Sequence, residues 1–154
     1  MKNYHQEFED FLKTQNSRYT SQKKEIVEEI AKLDHHFEVD DFIAAMRKRK
    51  HPFSRATVYR TIKHLFDAGL IQKISTKDGK VYYEENFTHK QHDHIICNHC
   101  GKILEIRNEK INKIVNQQCK EMAFIPSYRS MHIYGVCKSM HETGVCGYDT
   151  KGKK

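Results

Sequence analysis

Between His92 and Gly101 the chain reads His-Asp-His-Ile-Ile-Cys-Asn-His-Cys-Gly, which sets imidazole and carboxylate donors directly beside thiols. Cys97 and Cys100 form a CxxC, the spacing with which one tight turn presents two thiolates to a single tetrahedral zinc. Cys137 and Cys146 supply a second pair downstream. A closed site of four thiolates with no open position is structural, and its binding energy is folding energy. The gap between Cys137 and Cys146 is longer than a zinc knuckle commonly uses, which leaves His141 as a substitute for Cys146. A dithiol redox couple is the competing use of a CxxC, but the further thiols favour zinc.

His92 and His94 are one residue apart, so on a strand their imidazoles face the same way and Asp93 faces the other. Such a pair needs more ligands. Glu84, Glu85 and Glu105 lie near it in the sequence, and His35 and His36 stand far upstream. Nitrogen and oxygen donors suit a harder, more exchangeable divalent ion than thiolates do. On its own His36 reads as a solvated surface histidine, and so do His89 and His99. One metal held for folding beside another that exchanges is the arrangement of a sensor.

Upstream of these donors, apolar spacing predicts three helices and a hairpin. Thr20 or Ser21 caps a helix with Ile26, Val27, Ile30 and Leu33 on one face. A second helix starts near Val39 and buries Phe42, Ile43 and Met46. Ser54 caps a third, in which Val58, Ile62, Leu65 and Phe66 form the stripe and Gly69 the stop. LIQKIS and KVYYE are then two strands around an Asp78-Gly79 turn. Three helices and such a hairpin describe a winged helix, a reader of duplex DNA. On the third helix Arg55, Thr57, Tyr59, Arg60 and Lys63 are left for other faces. Arginine there can bond guanine bidentately, and Thr57 and Tyr59 can meet thymine methyls or phosphates. Lys77 and Lys80 flank the wing tip as phosphate contacts.

Charge points the same way, since residues 42 to 83 carry ten basic against two acidic side chains, a footprint for a polyanion. The N-terminal stretch MKNYHQEFEDFLK has no secretory pattern, and no segment approaches the ~20 apolar residues of a membrane span. A cytoplasmic protein is expected, with no membrane partner. Beyond Glu85 the character changes, because residues 86 to 100 gather four histidines and two cysteines. HIICNHCGKILEIR reads as two strands about the CxxC turn. Ile111, Ile114, Val115, Cys119 and Met122 mark an amphipathic helix with Cys119 as a core thiol, and SYRSMHIYGVC is a strand delivering Cys137 to the metal. The fold class is therefore α+β, with a winged helix-turn-helix domain over 1–84, a hinge at 85–90 and an α/β metal-binding domain over 91–154.

RYTSQKKEIVEEI, HHFEVDDF, RATVYRTIKHLFDAGLI, DGKVYYE, QHDHIICNHCGKILE and IYGVC together resemble the ferric uptake regulator (Fur) family of bacterial metal-dependent repressors, in the family's order and over nearly the whole chain. The resemblance implies a homodimer on an inverted-repeat operator in double-stranded DNA, with the C-terminal domain as the dimerisation domain. It carries a sensory site for Fe(II) or Mn(II) onto His36, His92, His94 and Glu105, with a carboxylate from Glu84 or Glu85, beside the structural Zn(II). It also places Arg18 near a minor groove. A further site found in many members maps onto Gln91, Asp93, Asn112 and Arg129, and only Asp93 retains a ligand type, so that site is expected to be absent. Peroxide-sensing relatives share that loss, although they place an aspartate where Glu105 stands. No cysteine falls at the sensory positions, which disfavours a thiolate zinc sensor. A zinc hydrolase is a remote alternative, because it would need an open coordination position and a cleft and would leave the basic helix unexplained. An inert zinc-stapled interaction domain would bind DNA no better with metal than without.

Overall fold

A computed structural model of the chain describes residues 3–33, 35–49, 53–86, 92–126 and 129–146. Of the expected hinge 85–90, residues 87–90 with His89 among them lie outside the described residues, as does Gln91. The chain divides into two compact units, residues 1–75 with 80–90 and residues 76–79 with 91–154.

The first unit is built from four helices, α1 (Tyr4–Thr14), α2 (Ser21–Ala31), α3 (Val39–Lys48) and α4 (Arg55–Asp67), followed by the hairpin strands β1 (Ile71–Ser75) and β2 (Val81–Glu85). Helix α1 adds to the three expected: Asn3 accepts the Gln6 amide at its start, and Phe8 and Leu12, one turn apart, are both fully buried. Thr20 and Ser54 cap α2 and α4 by accepting the amides of Lys23 and Thr57. Helix α4 ends at Gly69, whose φ of 71° suits a residue without Cβ. The amides of Gly69 and Leu70 there bond back to the carbonyls of Phe66 and Leu65, closing the helix in a Schellman turn. Phe8, Leu12, Ile26, Val27, Ile30, Val58, Ile62 and Leu65 then meet in one core. The hairpin is antiparallel in the register Ile71 to Glu85 through Ser75 to Val81. Phe37 pairs with Tyr83 through two backbone bonds of 3.0 and 2.8 Å, which fastens the segment before α3 to β2.

The second unit holds a three-stranded sheet in the order β4 (Ile103–Ile106), β3 (Asp93–Cys97), β5 (His132–Gly135), with helices α5 (Glu109–Glu121) and α6 (Lys138–Thr143). Strand β3 runs antiparallel to β4 and parallel to β5. Helix α5 has the expected apolar stripe but buries none of its residues, and Cys119 is half-buried rather than a core thiol. Ile114 is 64% exposed, Phe124 63% and Ile125 93%, so this face has no cover within the described residues. No helix among the described residues is long and apolar enough to cross a membrane.

Candidate metal sites and nucleic-acid interface

Burying Val58, Thr61, Ile62 and Leu65 turns the rest of α4 outward, so Arg55, Tyr59 and Arg60 are exposed. Thr57 is half-buried, and its hydroxyl lies 2.8 Å from that of Ser54 at the start of the helix. Arg18, Lys77 and Lys80 are exposed. The turn carrying Arg18 is tied down by Lys23, a buried lysine of α2 whose ammonium donates to Ser17 Oγ at 2.7 Å and to the Arg18 carbonyl at 2.8 Å. Burial, and then the charge of Arg60, hold the Lys23 pKa below its ordinary value. Sequence reading passed Lys23 over because a lysine one turn into a helix reads as solvated. It passed over Asp40 as well, which accepts from both Arg55 and Tyr59.

In the first unit the Phe37 to Tyr83 pairing brings His36 against β2. His36 Nε2 lies 3.4 Å from Glu84 Oε2, with both side chains largely buried. Gln72, the register partner of Glu84 across the hairpin, donates to the same oxygen at 2.8 Å. Alternation along β2 sends the neighbouring Glu85, also buried, to the other face. Antiparallel register is the signal that could have found Gln72.

In the second unit β3 presents His92 and His94 side by side, ring centroids 4.8 Å apart, and both are buried. Residues paired across strands share a face, so Glu105 on β4 and His132 on β5, both register partners of His94, flank it. Glu105 Oε2 is 3.9 Å from His92 Nε2 and 3.3 Å from Arg107 Nη2. The His132 ring lies 5.5 Å from that of His94. Its place there depends on the β3 to β5 pairing, which no local pattern announces. Asp93 points to the opposite face, where Arg129 Nη2 binds its Oδ2 at 2.6 Å. Arg129 thus supplies a fixed cation to that carboxylate. Asn112 is half-buried on α5, and His99 is exposed.

The thiols gather where β3 and β5 end. The CxxC turn closes through the Gly101 amide on the Cys97 carbonyl, with Gly101 at φ 71°, and the Asn98 amide bonds Gly135 at 2.7 Å, which sets the turn beside Cys137. The sulfurs of Cys97, Cys100 and Cys146 lie within 4.8 Å of one another, and Cys137 Sγ is 3.4 Å from Cys146 Sγ. Ligands around a tetrahedral zinc at ~2.3 Å stand ~3.8 Å apart, so this donor set fits that ion. All are free thiols. Burial raises the Cys97 pKa, but the backbone amides of Cys100, His99 and Cys137 and the Cys100 side chain outweigh it and hold the thiol below its usual value. His141 is exposed on α6.

Four helices and a hairpin with a basic outward-facing helix, together with a group of thiols and a group of histidines with a carboxylate, fit the class of metal-responsive transcription regulators. The profile of the Ferric uptake regulator family matches residues 14–134, and the chain belongs to that family. The ferric uptake regulation protein of Yersinia pestis is 32% identical over 115 residues, 75% of this chain and 74% of that protein. The peroxide-responsive repressor PerR of Staphylococcus epidermidis is 28% identical over 133 residues, 86% of this chain and 87% of its own. Among solved structures, the Helicobacter pylori ferric uptake regulator, described as having three functional metal binding sites, matches at 25% identity. Its TM-score is 0.63, over 87% of this chain and 89% of that one.

Proposed function

We propose that this chain is a cytoplasmic, homodimeric repressor that binds inverted-repeat operator DNA when Fe(II) occupies a site formed by His36, Glu84, His92, His94 and Glu105, and so controls iron homeostasis. Cys97, Cys100, Cys137 and Cys146 hold a structural Zn(II) in this reading. The observation that carries it is the division of the donors. His36 and Glu84, 3.4 Å apart, belong to the unit that contains α4, whereas His92, His94 and Glu105 belong to the other. Ligands drawn from both sides of a hinge at 85–90 tie the orientation of two domains, 1–84 and 91–154, to metal occupancy. Occupancy then shifts the population toward the DNA-competent form by as much as the two forms differ in affinity for the ion.

A bound divalent ion supplies the charge that lets several carboxylates and imidazoles converge. Of the two candidate carboxylates, Glu84 is the one facing His36. The nitrogen and oxygen donors, without thiolate, suit Fe(II) or Mn(II), and the name of the Yersinia pestis relative favours iron. Arg55, Thr57, Tyr59 and Arg60 on α4 enter the major groove, Arg18 reaches a minor groove, and Lys77 and Lys80 take phosphates from the wing. The uncovered apolar face of α5 with the exposed Ile133, Tyr134 and Val136 around β5 supports a second copy as its cover. The Arg129 to Asp93 ion pair supports a chain without the third metal site.

A gel shift on an inverted-repeat duplex, with apoprotein and with anaerobic Fe(II)-loaded protein, tests this. Metal should tighten binding, and equal binding in both states would sink the proposal. The Staphylococcus epidermidis relative motivates a peroxide-sensing reading. Mass spectrometry of the Fe(II) form after dilute peroxide separates the two: gain of one oxygen atom on His36 or His92 would replace iron control by peroxide sensing.

A further inference from the structure

The outward face of α4 carries a negative charge among its donors. Asp40, in the first turn of α3, accepts from Arg55 Nη2 through Oδ2 at 3.0 Å and from the Tyr59 hydroxyl through Oδ1 at 2.9 Å. Arg55 in turn lies 5.4 Å over the Tyr59 ring. Hydrogen bonding to Asp40, ahead of burial, holds the Tyr59 hydroxyl above its ordinary pKa. Acidic residues at a helix start answer the dipole, but Asp41 in the same turn offers that charge too, so the dipole does not account for where the Asp40 carboxylate sits.

We propose that Asp40 is a specificity-determining positioning residue of the DNA interface, its carboxylate standing in for a phosphate on Arg55 Nη2 and the Tyr59 hydroxyl while leaving the other guanidinium donors to a base edge. The inference rests on α4 being the DNA-reading helix. Two exposed donors side by side would otherwise capture any backbone phosphate, which is the sequence-independent part of DNA binding. Magnitudes decide which contact the carboxylate suppresses. An exposed ion pair is worth at most about a factor of five. That is enough to offset one screened phosphate contact, whereas a bidentate contact to a base, worth roughly five- to 150-fold, forms on the donors that Asp40 leaves open and keeps its full value. Asp40 therefore weakens binding to arbitrary DNA more than binding to an operator. It also orders Arg55 in advance, so less rotamer freedom is lost on docking.

The test uses full-length, Mn(II)-loaded protein to select a duplex from a randomised library. Affinity for that duplex and for a scrambled one of the same composition is then measured across salt. Asp40→Asn should bind the scrambled duplex about fivefold tighter and the selected one little differently, with a salt slope on the scrambled duplex steeper by about one phosphate contact. Asp40→Glu should restore the ratio, and Asp40→Asn should have a smaller effect in an Arg55→Ala background, where only the Tyr59 hydroxyl is released. If Asp40→Asn weakens both duplexes equally with an unchanged slope, the role is structural and the proposal is overturned. If no sequence is enriched and Arg60→Ala changes nothing, the assignment of α4 as the reading helix fails first and takes this inference with it.

Discussion

Glu84 is approached from two sides, and that makes its role separable by mutation. Its Oε2 faces His36 and also accepts from Gln72, so the carboxamide fixes the rotamer that aims the carboxylate at the imidazole. Outer partners of this kind govern metal affinity without touching the ion. Gln72→Ala should weaken Mn(II) binding by about 10- to 100-fold in a competitive chelator titration, with zinc content unchanged; unaltered affinity would remove Glu84 from the ligand set. At the thiol cluster the open choice is between Cys146, buried and 3.4 Å from Cys137, and His141, exposed on α6. Structural zinc contributes about 10–16 kcal/mol of apparent binding energy, comparable to the stability of a whole domain. Cys146→Ser should therefore lose zinc and the circular dichroism signal of the second unit, while His141→Ala keeps both. The reverse pattern would assign the fourth ligand to His141.

At the level of elements, the parts that local chemistry determines were legible in the chain. Thr20 and Ser54 cap α2 and α4, Gly69 ends α4, and the hairpin turns at Asp78-Gly79. The Ser54 cap also binds the Thr57 hydroxyl, so Ser54→Ala should cost about 1 kcal/mol, roughly 2–4 °C in a thermal melt of the zinc-loaded protein. No change in melting temperature would mean that α4 is held by packing alone. What escaped the sequence depended on distant partners. Helix α1 shows only Phe8, Phe11 and Leu12 as its stripe and becomes a core element because the rest of the bundle receives Phe8 and Leu12. Helix α6 has only six residues, too few to show a period. The choice between Glu84 and Glu85 turns on the Phe37 to Tyr83 bridge, and the neighbourhood of His94 and His132 on a parallel pairing; neither leaves a local trace. Cys119 was misplaced for the opposite reason: the stripe is real, but nothing within the described chain covers it.

That stripe bears on the molecule as a whole, because the described residues of the second unit leave apolar surface uncovered. Ile96 is fully buried in β3, whereas Ile114, Met122, Phe124 and Ile125 stand exposed on and after α5, and Ile133 and Tyr134 on β5, an edge of the described sheet. Exposed apolar side chains on an edge strand are an invitation to associate, and an inverted-repeat operator asks for two reading helices related by a twofold axis. Two tethered half-site contacts gain about 100- to 10,000-fold over one, through effective concentration alone. A charge placed on the exposed face should expose that gain without disturbing either metal site. Ile133→Asp, whose side chain is 44% exposed in the single chain, should sediment as a monomer with zinc retained, and should lose operator affinity by that factor while its affinity for one half-site is unchanged. If the variant stays dimeric, the second copy covers a different surface. If it becomes monomeric yet binds the full operator as tightly as before, the two half-sites are not read together, and the coupling of metal occupancy to a dimeric DNA-binding form would have to be abandoned.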